Sequence, residues 1–240
     1  MRPTPRTLQA VRNNADWCDT VCRAHGRPGR FEAGLWLNPA PVPAFYPNVV
    51  TLTPDADGAT LAALSGLALP GRWGVKDGFA TLDLASRGFD LLMEARWIHR
   101  EARDPSPVAR EAWRTVRTPV ELEAWEAAWA GLPGGVRPEV RVFPPALLGE
   151  EGVVFLATGD AARPDAGGIA SLSAGVVGLS NTFLSENAPA SRYAELLSQL
   201  QVLFPGRPVV GYEHGEALDV WRSLGFEPGD PLRVWLKQEG

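Results

Sequence analysis

The sequence predicts a mixed α/β protein, with a mixed central sheet flanked by helices and arranged as two halves. Three observations lead there. β-Branched, strand-like runs alternate with amphipathic helical periods along all 240 residues. The apolar share of 45% and the charged share of 21% match an ordinary globular chain, and one this long buries roughly 70–75% of its unfolded surface without staples. The two halves also end on the same succession of strand, helix, Gly-Phe and strand.

The elements follow in order. Residues 7–25 are helical, with Leu8, Val11, Ala15, Cys18, Val21 and Cys22 on one face, and Gly26 and Pro28 stop the helix. Residues 31–37 suit a strand, the four prolines of residues 38–47 impose a loop, and 49–53 suit a second strand. A helix over 57–68 carries Leu61, Leu64 and Ala68 on one side. A strand at 73–75 and a short helix at 82–87, closed by Gly88, lead to a strand over 89–97. Residues 100–112 are charged and proline-bearing and read as a linker, followed by a short strand at 113–117.

In the second half, Thr118-Pro119-Val120-Glu121 is a helix start, with Thr as N-cap, Pro in the first turn and Glu at the third position. Leu122, Trp125, Trp129 and Leu132 form its apolar face, and Leu132-Pro133-Gly134-Gly135 ends it. Residues 153–158 and 168–173 read as a hairpin around a 159–167 turn, and 176–184 as a further strand. A helix over 190–203 presents Tyr193, Leu196, Leu197 and Leu200. A strand at 208–212, a helix at 216–224 with Ala217, Val220, Trp221 and Leu224 on one face, and a strand at 233–237 complete the chain.

Composition narrows the function. No apolar run reaches the ~18–20 residues of a membrane span, and Met1-Arg2-Pro3-Thr4-Pro5 leads into no apolar signal segment, so the expectation is a cytoplasmic protein with no membrane partner. A net charge of −5 argues against nucleic-acid binding. Cys18, Cys22 and His25 share a helix face, but no second cysteine pair accompanies them, so they read as two core residues and a surface histidine, with no metal expected. The many tryptophans sit at apolar positions and read as core. Arg96, Arg100 and Arg103 read as a solvated face. No Walker loop, nucleophile elbow, zinc-protease helix or dinucleotide fingerprint appears.

The stretch from Ala217 through Trp221-Arg-Ser-Leu-Gly225-Phe226 to Trp235 resembles the end of GNAT-superfamily acetyltransferases, where a helix closing in L-G-F leads into the final strand. The resemblance covers roughly residues 138–237. Gly88-Phe89 and its flanks resemble the end of a second, degenerate unit, and the helical start with Trp17 is similar to tandem or N-terminally extended members. This implies two tandem GNAT-like halves, residues 1–105 and a CoA-binding half over 113–240.

In that family acetyl-CoA lies in a splayed gap between two central parallel strands, and a glycine-rich loop cradles the pyrophosphate at a helix N-terminus, where unpaired N–H groups and a partial positive charge await an anion. The resemblance implies that Leu179, Thr182, Phe183 and Leu184 of the 176–184 strand, and Ala188, Ala190, Ser191, Arg192 and Tyr193 after it, meet the cofactor. The loop departs from the family pattern. It has no glycine, Pro189 removes a donor, and Glu186 adds a negative charge. Arg192 offers a bidentate phosphate contact. The alternative is that Ser185 or Asn187 caps the helix and Arg192 is solvated.

Trp221 stands where the family often uses a tyrosine acid, and an indole N–H is far too weak an acid for that role. Tyr212 and Tyr193 are the nearest substitutes, with Glu213 or His214 as the base that the attacking amine requires. Tyr212, Glu213 and His214 each also have a plainer reading, as a wall residue, a solvated carboxylate and an exposed loop histidine. The implied activity is transfer of an acetyl group from acetyl-CoA, as substrate, to a small-molecule or peptide amine acceptor, with a homodimer left open. The alternative is an inactive GNAT-derived binding or interaction module.

Overall fold

Helix α1, Pro5–Ala24, begins where Thr4 accepts a hydrogen bond from the Thr7 amide at 3.1 Å and Pro5 occupies the first helical position. The computed structural model of the protein describes residues 2–54, 57–67, 69–104, 113–132, 139–186 and 188–238. Two compact units emerge: residues 1–99 with 212–240, and residues 100–211. This is a different partition from the two sequence halves, because the C-terminal helix and strand group with the first unit. Among the described residues no helix is long and apolar enough to cross a membrane.

In the first unit, α1 is followed by β1 (Arg30–Glu32), β2 (Leu35–Leu37), β3 (Val49–Thr51), α2 (Asp57–Gly66), β4 (Trp73–Asp77), a 3-10 turn at Ala85–Arg87 and β5 (Phe89–Arg100). The sheet order is β1-β2-β3-β4-β11-β5, where β11 is the C-terminal strand Glu227–Lys237. β3 and β4 run parallel (Val49↔Val75, Val50↔Lys76), and β11 lies antiparallel between β4 and β5. Trp235 thereby packs with Leu35, Leu37, Val49, Trp73, Val75, Leu84 and Phe89 in one buried cluster. Cys18 and Cys22 are both buried, in a second cluster with Trp36 and Val50.

Several expectations change. The strand expected at 31–37 is a hairpin, because Gly34 adopts a left-handed conformation (φ 88°) that turns the chain after three residues. The short helix at 82–87 is a single 3-10 turn, ended by Gly88 at φ 75°. Leu8, placed on the apolar face of α1, is 41% exposed. The expected linker begins later, since β5 runs to Arg100, and residues 105–112 lie outside the described residues.

The second unit contains β6 (Arg114–Thr115), α3 (Pro119–Trp129), a 3-10 turn at Pro145–Gly149, β7 (Val153–Asp160), β8 (Arg163–Ser173), β9 (Val176–Leu184) and α4 (Ser191–Leu203). β10 (Val209–Glu213) begins in this unit, and its sheet order is β10-β9-β8-β7-β6. The expected capping box is present. Thr118 Oγ1 accepts from the Glu121 amide at 3.2 Å, and the Glu121 carboxylate accepts from the Thr118 and Arg117 amides at 3.0 and 2.9 Å, which holds its carboxyl below the ordinary range. α3 ends at Trp129; the Pro133-Gly134-Gly135 part of its expected stop lies outside the described residues.

The wide turn expected at 159–167 is instead two residues, Ala161-Ala162, between long strands. The glycines there serve packing. A Cβ on Gly167 would collide with the Phe183 ring and the Trp125 indole, and one on Gly168 would lie 3.1 Å from Leu196. Adjacent strand residues face opposite sides of a sheet, so α3, which carries Trp125, and α4, which carries Leu196, cover opposite faces. Trp125 is fully buried, donates to the Leu156 carbonyl at 2.9 Å and meets Phe143, Phe155 and Phe183 edge to face.

Buried Glu126 completes this face. Its carboxylate accepts from the Val142 and Phe143 amides at 2.5 and 3.1 Å and from Arg141 Nε at 3.2 Å. Glu126→Ala strands two buried amides, at about 1–3 kcal/mol each. Urea denaturation is expected to show a loss of about 3 kcal/mol; a loss below about 1 kcal/mol would mean the clamp adds little.

Candidate functional site

β9 carries the first group of candidate residues, and its local geometry is irregular in a defined way. Against β8 the register runs Ser173↔Val176 to Ile169↔Ser180 and resumes at Gly167↔Phe183. β8 advances two residues while β9 advances three, so β9 holds one extra residue, a β-bulge. Asn181 sits in it at φ 52°, a left-handed conformation that asparagine tolerates better than most side chains. The bulge shifts the alternation of faces. Leu179 and Thr182, three apart, both lie within 3.4 Å of a Cβ built on Gly168. Phe183 turns to the other face, against Trp125, with ring centroids 5.4 Å apart.

On its other edge β9 pairs in parallel with β10 through Val177↔Val209 and Gly178↔Val210, and the Val177 amide donates to the Pro208 carbonyl at 2.9 Å. Among the described residues that ladder comprises these two pairs, while β9 continues to Leu184. A bulge bends its strand and increases its twist, which accounts for β9 leaving β10 just before Asn181. Among the described residues Ser180 Oγ, shielded from solvent beside the bulge, has no hydrogen-bond partner.

Beyond Leu184, the Ser185 amide donates to the Asp165 carbonyl and the Ala188 amide to the Ser185 carbonyl. The N-cap of α4 is Ala190, and among the described residues no side chain caps the helix. Ser185 therefore does not cap it; Asn187 lies outside the described residues. Two of the first-turn amides are already engaged: Arg192 N–H donates to the Pro189 carbonyl at 3.0 Å and Tyr193 N–H to the Ala190 carbonyl at 3.3 Å. Arg192 is not simply solvated. Its guanidinium pairs with Glu195 at 2.8 Å and Asp165 at 3.7 Å, and the hydrogen bond to Glu195 raises its pKa further against a smaller opposing effect of burial. Ser191 Oγ also meets Glu195, at 3.2 Å, and Tyr193 is half-buried in the same first turn. In this unit a cleft of about 910 Å³ borders the segment, lined by Ala127, Asp165, Phe183, Leu184, Ser185 and Glu186 among others.

The remaining candidates belong to the first unit, at the end of β10 and the start of α5 (Gly215–Ser223). Tyr212 packs edge to face on Trp97 at 5.6 Å, and its hydroxyl accepts from Lys76 Nζ at 3.2 Å. Burial pushes the Glu213 carboxyl up, partly offset by His214 and by a hydrogen bond from Trp221. His214 is exposed, as its plainer reading held, and serves as the N-cap residue of α5 without a side-chain bond. Trp221 is a buried core residue packed on Phe226 at 5.4 Å. The expected apolar face of α5 reduces to Trp221: Ala217 is exposed and Val220 is 43% exposed.

The sequence reading missed Lys76, Asn14, Ser180 and Asn181. A lone lysine within an apolar strand was the one signal that could have flagged the first of these.

No family model matches the chain, and a search of curated proteins finds no match. Solved structures share its fold. A GCN5-related N-acetyltransferase from Kribbella flavida superposes with a TM-score of 0.62 at 17% identity, covering 96% of both chains. A protein assigned to the GNAT family from Novosphingobium aromaticivorans gives 0.58 at 14%, over 93% of this chain and 96% of that one. A functionally unknown conserved protein from Staphylococcus epidermidis gives 0.59 at 11%, over 88% and 93%. The fold is that of the GCN5-related N-acetyltransferases, as the L-G-F ending led us to expect.

The bulge makes a testable demand on Asn181. Glycine adopts its conformation freely, whereas a β-branched side chain is strained there. Asn181→Gly is expected to leave stability nearly unchanged, and Asn181→Val to cost about 1–3 kcal/mol, read by urea denaturation. Equal costs would show that backbone strain is not what selects asparagine.

Proposed function

We propose that this protein is an acyltransferase that moves an acetyl group from acetyl-CoA to an amine. The observation that carries the reading is the parting of β9 from β10 after Gly178 beside the Asn181 bulge. A parted parallel pair leaves strand amides without ladder partners, and preformed backbone donors of this kind stabilise the oxyanion that develops when a thioester is attacked. A pyrophosphate at the start of α4 would have to compete with the Pro189 and Ala190 carbonyls for the Arg192 and Tyr193 amides. Arg192 can join it only by sharing its guanidinium with Glu195 and Asp165.

The chemistry is direct displacement. The amine nitrogen forms a bond to the thioester carbonyl carbon as the carbon–sulfur bond breaks. Glu213 takes the proton that the nitrogen sheds, and Tyr212 gives one to the departing thiolate. Burial makes Glu213 a stronger base than an ordinary glutamate. The second reading, a non-catalytic binding module, draws support from Trp221 being committed to the core and from the two carboxylates already on Arg192.

Calorimetry with acetyl-CoA separates the readings. Micromolar binding, weakened about tenfold by Arg192→Ala (the loss of one charge-assisted contact), places the cofactor at the 185–192 loop. No binding up to millimolar acetyl-CoA rejects acetyl transfer. Glu213 must be deprotonated to act, and its pKa is raised. The rate with a reactive amine is therefore expected to fall with decreasing pH at a point above that of an ordinary glutamate, and Glu213→Gln should abolish that limb. An unchanged acid limb in Glu213→Gln would remove Glu213 from the role of base.

A further inference from the structure

Lys76 is one of two lysines in the chain and is 5% exposed, the fourth of the five residues of β4. Among the described residues no carboxylate pairs with it. Taking an ammonium out of water without a counter-charge is costly, so its neighbours define its use. Nζ donates to Asn14 Oδ1 on α1 at 2.9 Å and to the Tyr212 hydroxyl at 3.2 Å, and it sits 4.4 Å from the Tyr212 ring centroid. Trp97 packs edge to face with that ring at 5.6 Å and is itself anchored by donating to the Gly78 carbonyl at 2.8 Å.

An ammonium offers only donors. The Tyr212 oxygen must therefore accept from Lys76, and its own proton must point elsewhere. We propose that Lys76, steadied by Asn14, is a positioning residue for Tyr212: it fixes the tyrosine oxygen as acceptor on one side, directs the hydroxyl proton away toward a leaving thiolate, and balances the phenolate that remains. This rests on the acyl-transfer reading. In the step the Tyr212 O–H bond breaks and the sulfur–hydrogen bond forms. The phenolate stays beside the ammonium until solvent returns a proton, and Glu213 releases to solvent the one it took from the amine. The titratable groups around Lys76 are Tyr212 and Cys18. Burial pulls the lysine down, but its interactions with Tyr212 and Cys18, the Tyr212 hydrogen bond among them, outweigh it and leave its pKa above the ordinary value.

Leaving-group dependence tests the idea, with hydroxylamine as the probe acceptor. The CoA thiolate is basic and needs a proton, whereas thionitrobenzoate leaves without one. Lys76→Met and Tyr212→Phe are each expected to slow transfer from acetyl-CoA on the order of 10²-fold, with KM little changed. Both should transfer from S-acetyl-thionitrobenzoate at nearly the wild-type rate, and the double variant should be no slower than either single one. A purely structural lysine would lower both thioesters alike, and that result, or an unaltered acetyl-CoA rate in Lys76→Met, overturns the proposal.

Nuclear magnetic resonance of [¹³Cε]lysine-labelled protein supplies a second readout, since the chain gives two lysine signals. Tyr212→Phe should move the Lys76 titration to lower pH, and an unmoved titration also overturns the proposal. If the wild-type protein transfers from neither thioester, the acyl-transfer reading fails and this one with it; failure of the variant pattern alone rejects only the role of Lys76.

Discussion

The first unit is organised by a strand that reaches it late in the sequence. β11 pairs with β4 from Arg233↔Asp77 to Lys237↔Trp73 on one edge and with β5 on the other. Without it, β4 and β5 have no common neighbour, and the Trp73–Phe89 aromatic pair, 5.1 Å apart, loses the Trp235 indole from its buried cluster. The pairing Val234↔Lys76 also fixes where the buried lysine sits. Irregularities between Pro228 and Pro231 and between Val234 and Trp235 let this long strand bend while keeping both ladders.

Each unit contains a short parallel ladder spanned by a helix: β3–α2–β4 in the first and β9–α4–β10 in the second, each with two residue pairs. Along the chain each ladder is followed by a Gly-Phe turn, before β5 and before β11, and both turns belong to the first unit. Their side chains diverge where chemistry is at stake. Lys76 occupies in the first ladder the position that Val210 holds in the second, so one unit carries a charge at a point where the other is apolar.

Local physics made much of this legible. The capping box of α3 and the whole of β9 follow from short-range hydrogen bonding and a β-branched, aromatic-bearing run. Helical spacing alone did not say which apolar residues a neighbour covers, and Leu8 and Val220 stayed exposed. Gly159 and Gly167 were read as turn formers, although Gly167 is required because two aromatic rings close over the strand. Within the candidate site, the bulge left no periodic trace, since Asn181 reads as an ordinary polar strand residue. The contact between Lys76 and Tyr212 joins positions 136 apart, and no local pattern encodes it. Arg192 was visible as a cation near a helix start, but its two carboxylate partners, one of them on another strand, were not.

The placement of β11 has a consequence for biosynthesis. The ribosome delivers β4 and β5, then an entire second unit, before the strand that must lie between them. Throughout that interval the nascent first unit carries unfilled strand edges and an incomplete aromatic core, the conditions under which chains pair with the wrong partner. Folding of the second unit during this wait would keep its own strands β7, β8 and β9, hairpin-linked and local, from competing for those edges. The architecture thus sets an order of assembly in which the second unit closes first and the first unit is sealed last.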